Sequence, residues 1–216
     1  SGLVPMVDSI ARHDASGYAT LTSTITECLW TIALVLACIH GHDWRQRYTV
    51  SMATDELTGL GNRRAYLERL EQECSRSRRT GTPLTLLFID CDDFKLINDT
   101  RGHIVGNSVL RAVADSLRTG TRTYDCVARF AGDEFIVLCP RTDDRVAKCV
   151  AQRLMQLMRD RMIREDCTLT FSMGVATFED FQLAPEEMIA AVDQTMYRTK
   201  RGSKNAVSFM CDHPSD

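Results

Sequence analysis

The stretch Leu84-Thr85-Leu86-Leu87-Phe88-Ile89-Asp90-Cys91-Asp92-Asp93 constrains this chain more than any other: an apolar run of strand length ends abruptly in three carboxylates. Such a run belongs to a central strand covered on both faces, so the fold must supply cover for it. A hydrophobic core gives no reason for the acids at its end. Hard divalent cations take oxygen ligands, and Mg²⁺ usually takes one or two carboxylates together with the phosphates of its substrate. An acidic strand end suits metal-assisted phosphoryl or nucleotidyl transfer if a second acidic element lies beside it.

A candidate for that element is Arg129-Phe130-Ala131-Gly132-Asp133-Glu134-Phe135. Apolar runs of strand length, Cys126 to Phe130 and Phe135 to Leu138, flank a small Ala-Gly pair, which reads as a hairpin turn with Asp133 and Glu134 at its tip. Small residues let a phosphate or cation approach the backbone closely. An isolated Gly-Asp-Glu is more simply a solvated acidic turn. The acidic strand end upstream is what gives this one weight.

Together the segments FIDCDDFKLINDTRGHIVGNSVL, Phe88 to Leu110, and RFAGDEFIVL, Arg129 to Leu138, resemble the GGDEF domain of diguanylate cyclases. Further matches are Asp55-Glu56-Leu57-Thr58-Gly59-Leu60-Gly61-Asn62-Arg63-Arg64, the strand Thr170 to Ala176, and Met196-Tyr197-Arg198-Thr199-Lys200. The resemblance covers residues from about Ala53 to Phe209, in the family's order and spacing, with a variant signature that begins in Ala.

The coarse pattern between these motifs agrees in kind. Arg64 to Arg78 is a surface helix, Leu84 to Asp90 a strand, and a helix broken near Gly102 resumes at about Gly106 and runs to Leu117. After the hairpin come a helix from about Asp143 to Arg161, a strand Cys167 to Thr177, a helix Pro185 to Thr199 and a short strand Ala206 to Phe209. This order predicts an α/β fold of the α+β sandwich type, a central, mostly antiparallel sheet with helices on one or both faces. The resemblance implies the same, a fold close to polymerase palms and nucleotide cyclases.

The resemblance also implies a reaction and a site. In the family each protomer holds one Mg²⁺- or Mn²⁺-bound GTP, and two protomers face each other so that each 3′-hydroxyl attacks the other's α-phosphate, giving cyclic di-GMP. By match, Asp90 and Asp133 supply metal carboxylates and Cys91 a backbone carbonyl; Glu134 is a further ligand or assists deprotonation of the hydroxyl. The backbone at Asp93 and Phe94, with Lys95, holds phosphates beside the Ala131-Gly132 turn, and Lys200 and Lys204 are phosphate-binding cations. The second is usually Arg, so a Lys there loses the bidentate fork. Asn98 and Asn107 face the guanine; the family normally has Asp at the second of these positions, and Asn loses its charge and adds donors. Ala131 adds a Cβ that would be strained if the backbone there needs positive φ. Arg122-Thr123-Tyr124-Asp125, with Arg153 on the following helix, matches the inhibitory site for the product; without the family it reads as a local turn closed by an Arg/Asp pair.

Beyond the domain the reading is compositional. A net charge of −3 argues against a protein that binds nucleic acid by neutralising phosphates. Nine cysteines without a C-x-x-C pair suggest free thiols in a reducing cytoplasm. Residues 1–5 look like a tag remnant, 6–52 form an N-terminal helical segment, 53–210 the catalytic domain and 211–216 a tail. Tyr18, Leu21, Ile25, Cys28, Ile32, Val35 and Ile39 recur at three- and four-residue steps. That stripe fits a dimerising coiled coil, a helix packed on its own domain, or the remains of an anchor tethering a longer parent chain; no membrane is required by the chain itself. The input signal has no recognisable pocket. The whole predicts a homodimeric, product-inhibited diguanylate cyclase, with two alternatives: a non-catalytic module binding GTP or cyclic di-GMP, or a cyclase of relaxed base choice.

Overall fold

The computed structural model describes residues 53–210, all within the second of two compact units of the chain, Ser51–Asp216. The N-terminal stripe Tyr18 to Ile39, the proposed tag remnant and the tail lie outside the described residues. The elements are β1 (Gly61–Asn62), α1 (Arg63–Thr80), β2 (Leu84–Asp92), α2 (Phe94–Arg101), α3 (His103–Gly120), β3 (Cys126–Ala131), β4 (Glu134–Pro140), α4 (Asp144–Arg164), β5 (Thr170–Phe178), α5 (Pro185–Gly202) and β6 (Val207–Phe209). They build one sheet in the order β1-β3-β4-β2-β5-β6. The three inner pairings are antiparallel, and the two edge strands, of two and three residues, pair in parallel.

β2 sits at the centre and every one of its residues is buried. Its side chains alternate. Leu87, Ile89 and Cys91 enter a core with α2, α3 and α4, whereas Leu84, Leu86 and Phe88 enter a second core with α1 and α5. Helices therefore cover both faces. Full burial of a Leu, Ile or Phe is worth roughly 1.5–3 kcal/mol, and a one-residue slip would exchange the two sets, so the core itself fixes the register. Continuing the alternation, Asp90 and Asp92 fall on the α5 side, beyond its apolar contacts.

Local signals set the helix ends. Asn62 caps α1 by accepting from the Ala65 N–H at 3.0 Å, and Gly81, at φ +63°, closes its C-terminus. Asp143 caps α4 by accepting from Val146 N–H at 2.8 Å. The break at Gly102 is confirmed at φ +83°, but α3 resumes at once with His103, three residues before the predicted Gly106. β5 begins at Thr170 rather than Cys167, because Asp166 takes φ +48° and the Cys167 N–H closes α4 by donating to Met162 O. β1 was not predicted; two residues carry no periodicity.

Gly174 explains how α5 reaches the sheet. A Cβ on it would lie 2.4 Å from Met196 N and 2.5 Å from Val192 O, so the helix backbone rests directly on β5. That contact brings the last turn of α5, with Lys200, to the acidic end of β2.

Candidate active site

The sheet register brings the two acidic elements together. Asp90 on β2 pairs with Glu134 on β4, and the Cys91 N–H donates to Asp133 O at 3.2 Å. The hairpin turn lies one residue later than the sequence suggested. Ala131 is the last residue of β3, paired with Glu134, and the two-residue turn is Gly132-Asp133 with Gly132 at φ +30°. Ala131 does not have positive φ, so its Cβ brings no backbone strain; the left-handed demand falls on the Gly that remains.

Lys200 Nζ binds Asp90 Oδ1 at 2.6 Å, and Lys204 Nζ binds both carboxylate oxygens of Asp93 at 2.7 Å. Each predicted phosphate cation thus rests on an acid at the end of β2. Burial pushes the Asp90 carboxyl up, an effect the Lys200 bond does not fully offset and the charges of Asp133 and Asp92 increase. Burial pulls the Lys200 ammonium down, but its bond to Asp90 and the surrounding acids outweigh that and hold it above its ordinary value. Glu134 is raised by burial, then by Asp193, Asp90 and Asp133. Asp193, on α5, was missed in the sequence, since a lone helical Asp carries no motif.

Asp93 takes φ +54° and makes no side-chain cap on α2, its carboxylate being held by Lys204. The backbone at Phe94 and Lys95 thus begins a helix without that cap, a suitable place for a phosphate. Asn98 is half-buried, packed against Gly106; a Cβ there would lie 2.0 Å from its Oδ1, so the bare backbone of α3 is what admits this amide. Asn107 is exposed on the same helix.

The donors suit a hard divalent cation: carboxylates of Asp90, Asp133 and Glu134 with the carbonyl of Cys91, all oxygens, at the ends of two paired strands. Among the described residues no three acidic, Cys or His groups converge as a finished cage. Asp92 is used otherwise. It is 3% exposed and accepts from Ser172 Oγ and Thr170 Oγ1, both at 2.7 Å, and from Asn205 N–H at 3.1 Å.

The Arg122–Asp125 loop lies elsewhere, between α3 and β3. It forms a turn: Arg122 N–H donates to Asp125 Oδ2 at 2.8 Å and Asp125 N–H to Arg122 O at 3.1 Å. The Arg122 guanidinium stands over the Tyr124 ring, 5.9 Å from its centroid. Asp125 Oδ1 is buried without a hydrogen-bond partner. Burial raises Asp125, against the opposing pull of Arg122 and of Arg153, which lies close enough to act on it. Beside Arg122 is a cavity of about 300 Å³ lined by Arg69, Glu73, Arg76, Tyr124 and Arg141. In the sequence the α1 residues among these read only as part of a surface helix.

A model of the family described as Diguanylate cyclase, GGDEF domain, matches residues 52–206. The chain belongs to the GGDEF family. It is 40% identical over 169 residues to the diguanylate cyclase DgcP of Pseudomonas aeruginosa, covering 77% of this chain and 24% of that one. It is 38% identical over 157 residues to the cyclic di-GMP phosphodiesterase NbdA of the same organism, covering 72% and 20%. The chain therefore spans a quarter or less of these two relatives. The crystal structure of the coiled coil and GGDEF domain of DgcB from Caulobacter crescentus, in complex with c-di-GMP, shares the fold with a TM-score of 0.74 at 26% identity, over 90% of this chain and 100% of that one. In this GGDEF domain the signature is Ala-Gly-Asp-Glu-Phe, Ala131 to Phe135.

Proposed function

We propose that this chain is the catalytic part of a diguanylate cyclase, which condenses two GTP into cyclic di-GMP with release of two pyrophosphates. The observation that carries the reading is the pairing of Asp90 with Glu134 across β2 and β4, with Lys200 against Asp90. Asp90, Asp133, Glu134 and the Cys91 carbonyl would hold Mg²⁺ or Mn²⁺, which supplies charge neutralisation at the reacting phosphate. Lys200 and Lys204 turn from Asp90 and Asp93 to the triphosphate, and the backbone at Phe94 and Lys95 takes a further phosphate oxygen. Glu134 serves either as a further ligand to that ion or as the group that assists deprotonation of the attacking hydroxyl. Asn98 and Asn107 orient the base.

Each domain binds one GTP, so turnover takes two chains. Residues 6–52 are the proposed dimerising segment, a reading supported by the coiled coil in the DgcB structure. The Arg122, Asp125 and Arg153 group is the proposed product-inhibition site, supported by the unpartnered Asp125 oxygen and by c-di-GMP in that same structure. No described helix is long and apolar enough to cross a membrane, and GTP as substrate puts the domain in the cytoplasm. The decisive experiment is incubation with GTP and Mg²⁺ followed by mass identification of the product. Cyclic di-GMP is expected; GTP binding without product would leave a regulatory module. That second reading draws on the likeness to NbdA, named for phosphodiesterase activity. Mixed products with ATP present would show relaxed base choice, which Asn107 favours.

A further inference from the structure

Asp92 sits between the proposed metal ligands and the phosphate turn, yet it belongs to neither. Its carboxylate is buried, and both oxygens are taken: Oδ1 by Ser172 Oγ, Oδ2 by Thr170 Oγ1 and Asn205 N–H. The hydroxyl bonds are local to the sheet, since Thr170 is the direct cross-strand partner of Asp92 on β5. The third bond is not. It reaches 113 residues along the chain to the loop between α5 and β6.

That loop carries Lys204. Asn205, the next residue, has φ +61°, a conformation Asn tolerates better than most residues. It is held from the other side too: Arg159 Nε donates to Asn205 Oδ1 at 2.9 Å and Nη2 to Asn205 O at 2.7 Å. The residue after Lys204 is thus clamped between Asp92 within the domain and Arg159 on its surface. Lys204 then reaches back to both oxygens of Asp93, the residue next to Asp92.

A long ammonium side chain has much rotamer freedom to lose, and fixing its backbone decides how much binding energy survives. We infer that Asp92 is a positioning residue that, through Asn205, sets Lys204 over the backbone turn at Asp93 where the triphosphate is held. A carboxylate is needed because it can accept all three donors; an amide offers one acceptor oxygen. The inference rests on the proposed GTP site and concerns nucleotide affinity rather than metal chemistry.

The test measures binding of α,β-methylene GTP, which cannot be turned over, in Mg²⁺ by calorimetry, with melting temperatures alongside. Asp92→Asn and Lys204→Ala should each weaken binding roughly five- to tenfold. The double variant should bind no more weakly than Lys204→Ala alone, because Asp92 acts through that lysine. Losses that multiply, or Asp92→Asn binding like wild type, would overturn the inference. Should Asp92→Asn fail to fold, Arg159→Ala removes the outer clamp from a half-buried position at the domain surface; it should show the same loss and the same non-additivity, and wild-type affinity would refute the clamp. Wild-type protein that binds no analogue would instead overturn the GTP-site reading, and the inference with it.

Discussion

Arg129 and Asp55 are joined across 74 residues of chain, with Nη1 of Arg129 3.2 Å from both carboxylate oxygens of Asp55. The same guanidinium donates from Nε to Gly132 O at 2.8 Å. Asp55 also accepts from the N–H and hydroxyl of Thr58. The turn through which the chain reaches β1 is therefore fastened to the turn that presents Asp133.

Arg129→Ala should lower turnover several-fold and melting temperature by about 2–4 °C, the shift expected for loss of roughly 1 kcal/mol in a domain this size. Asp55→Asn should do the same, and the pair should not be additive. Burial pushes the Asp55 carboxyl up, but the Thr58 bonds and Arg129 outweigh it and hold it below its ordinary value of 3.8. A lowered carboxyl stabilises above the unfolded value and loses that contribution as pH falls through the folded one. The gap between wild type and Asp55→Asn should therefore close under acid, and thermal melts across pH check it.

Glu134→Gln should cost on the order of a hundredfold in turnover. In metal-free buffer at neutral pH it should melt above wild type. The Glu134 carboxyl is raised by burial and by Asp193, Asp90 and Asp133, so ionised Glu134 works against the folded state. A raised carboxyl is favourable below its unfolded value of 4.5, and this is lost as pH rises through the folded value, so the advantage of Gln should vanish on acidification. A melting temperature at or below wild type would contradict this.

Arg122→Ala should abolish the flattening of progress curves as cyclic di-GMP accumulates, with the initial rate unchanged. Tyr124→Ala removes the ring beneath the guanidinium together with the hydroxyl that accepts from Arg122 Nη1 at 3.4 Å, and should raise the inhibition constant a few-fold, as expected for an exposed cation–π contact of about 0.5–1 kcal/mol. Inhibition equal to wild type in Arg122→Ala would reduce the loop to the turn its hydrogen bonds describe.

Asn107→Asp should sharpen preference for GTP over ATP. A charge-assisted hydrogen bond to guanine exceeds a neutral one by on the order of 1 kcal/mol, several-fold in the ratio of turnover efficiencies. An unchanged ratio would mean that position 107 does not contact the base.

The central strand and hairpin were legible because burial on two faces leaves an apolar run, and because a turn between such runs takes small residues. Their meeting was legible only through family resemblance, since spacing alone does not say that Asp90 and Glu134 share a rung. Partners far apart in the chain left no trace: Asp55 with Arg129, Asp193 beside Glu134, Arg159 with Asn205. Nor can composition sort three neighbouring Asp residues, of which Asp90 faces Lys200, Asp92 is consumed by hydroxyls and a backbone N–H, and Asp93 bends the chain. Ala131 shows the reverse case. The substitution stands out in the sequence but has no backbone consequence, because the positive φ belongs to Gly132.

The sheet ends in strands of two and three residues. Among the described residues, edges this short present few unpaired backbone groups and so disfavour pairing with a second domain. If two such domains meet as proposed, side chains and whatever is bound between them carry the contact, and contacts of that kind can be made and dissolved with the supply of nucleotide.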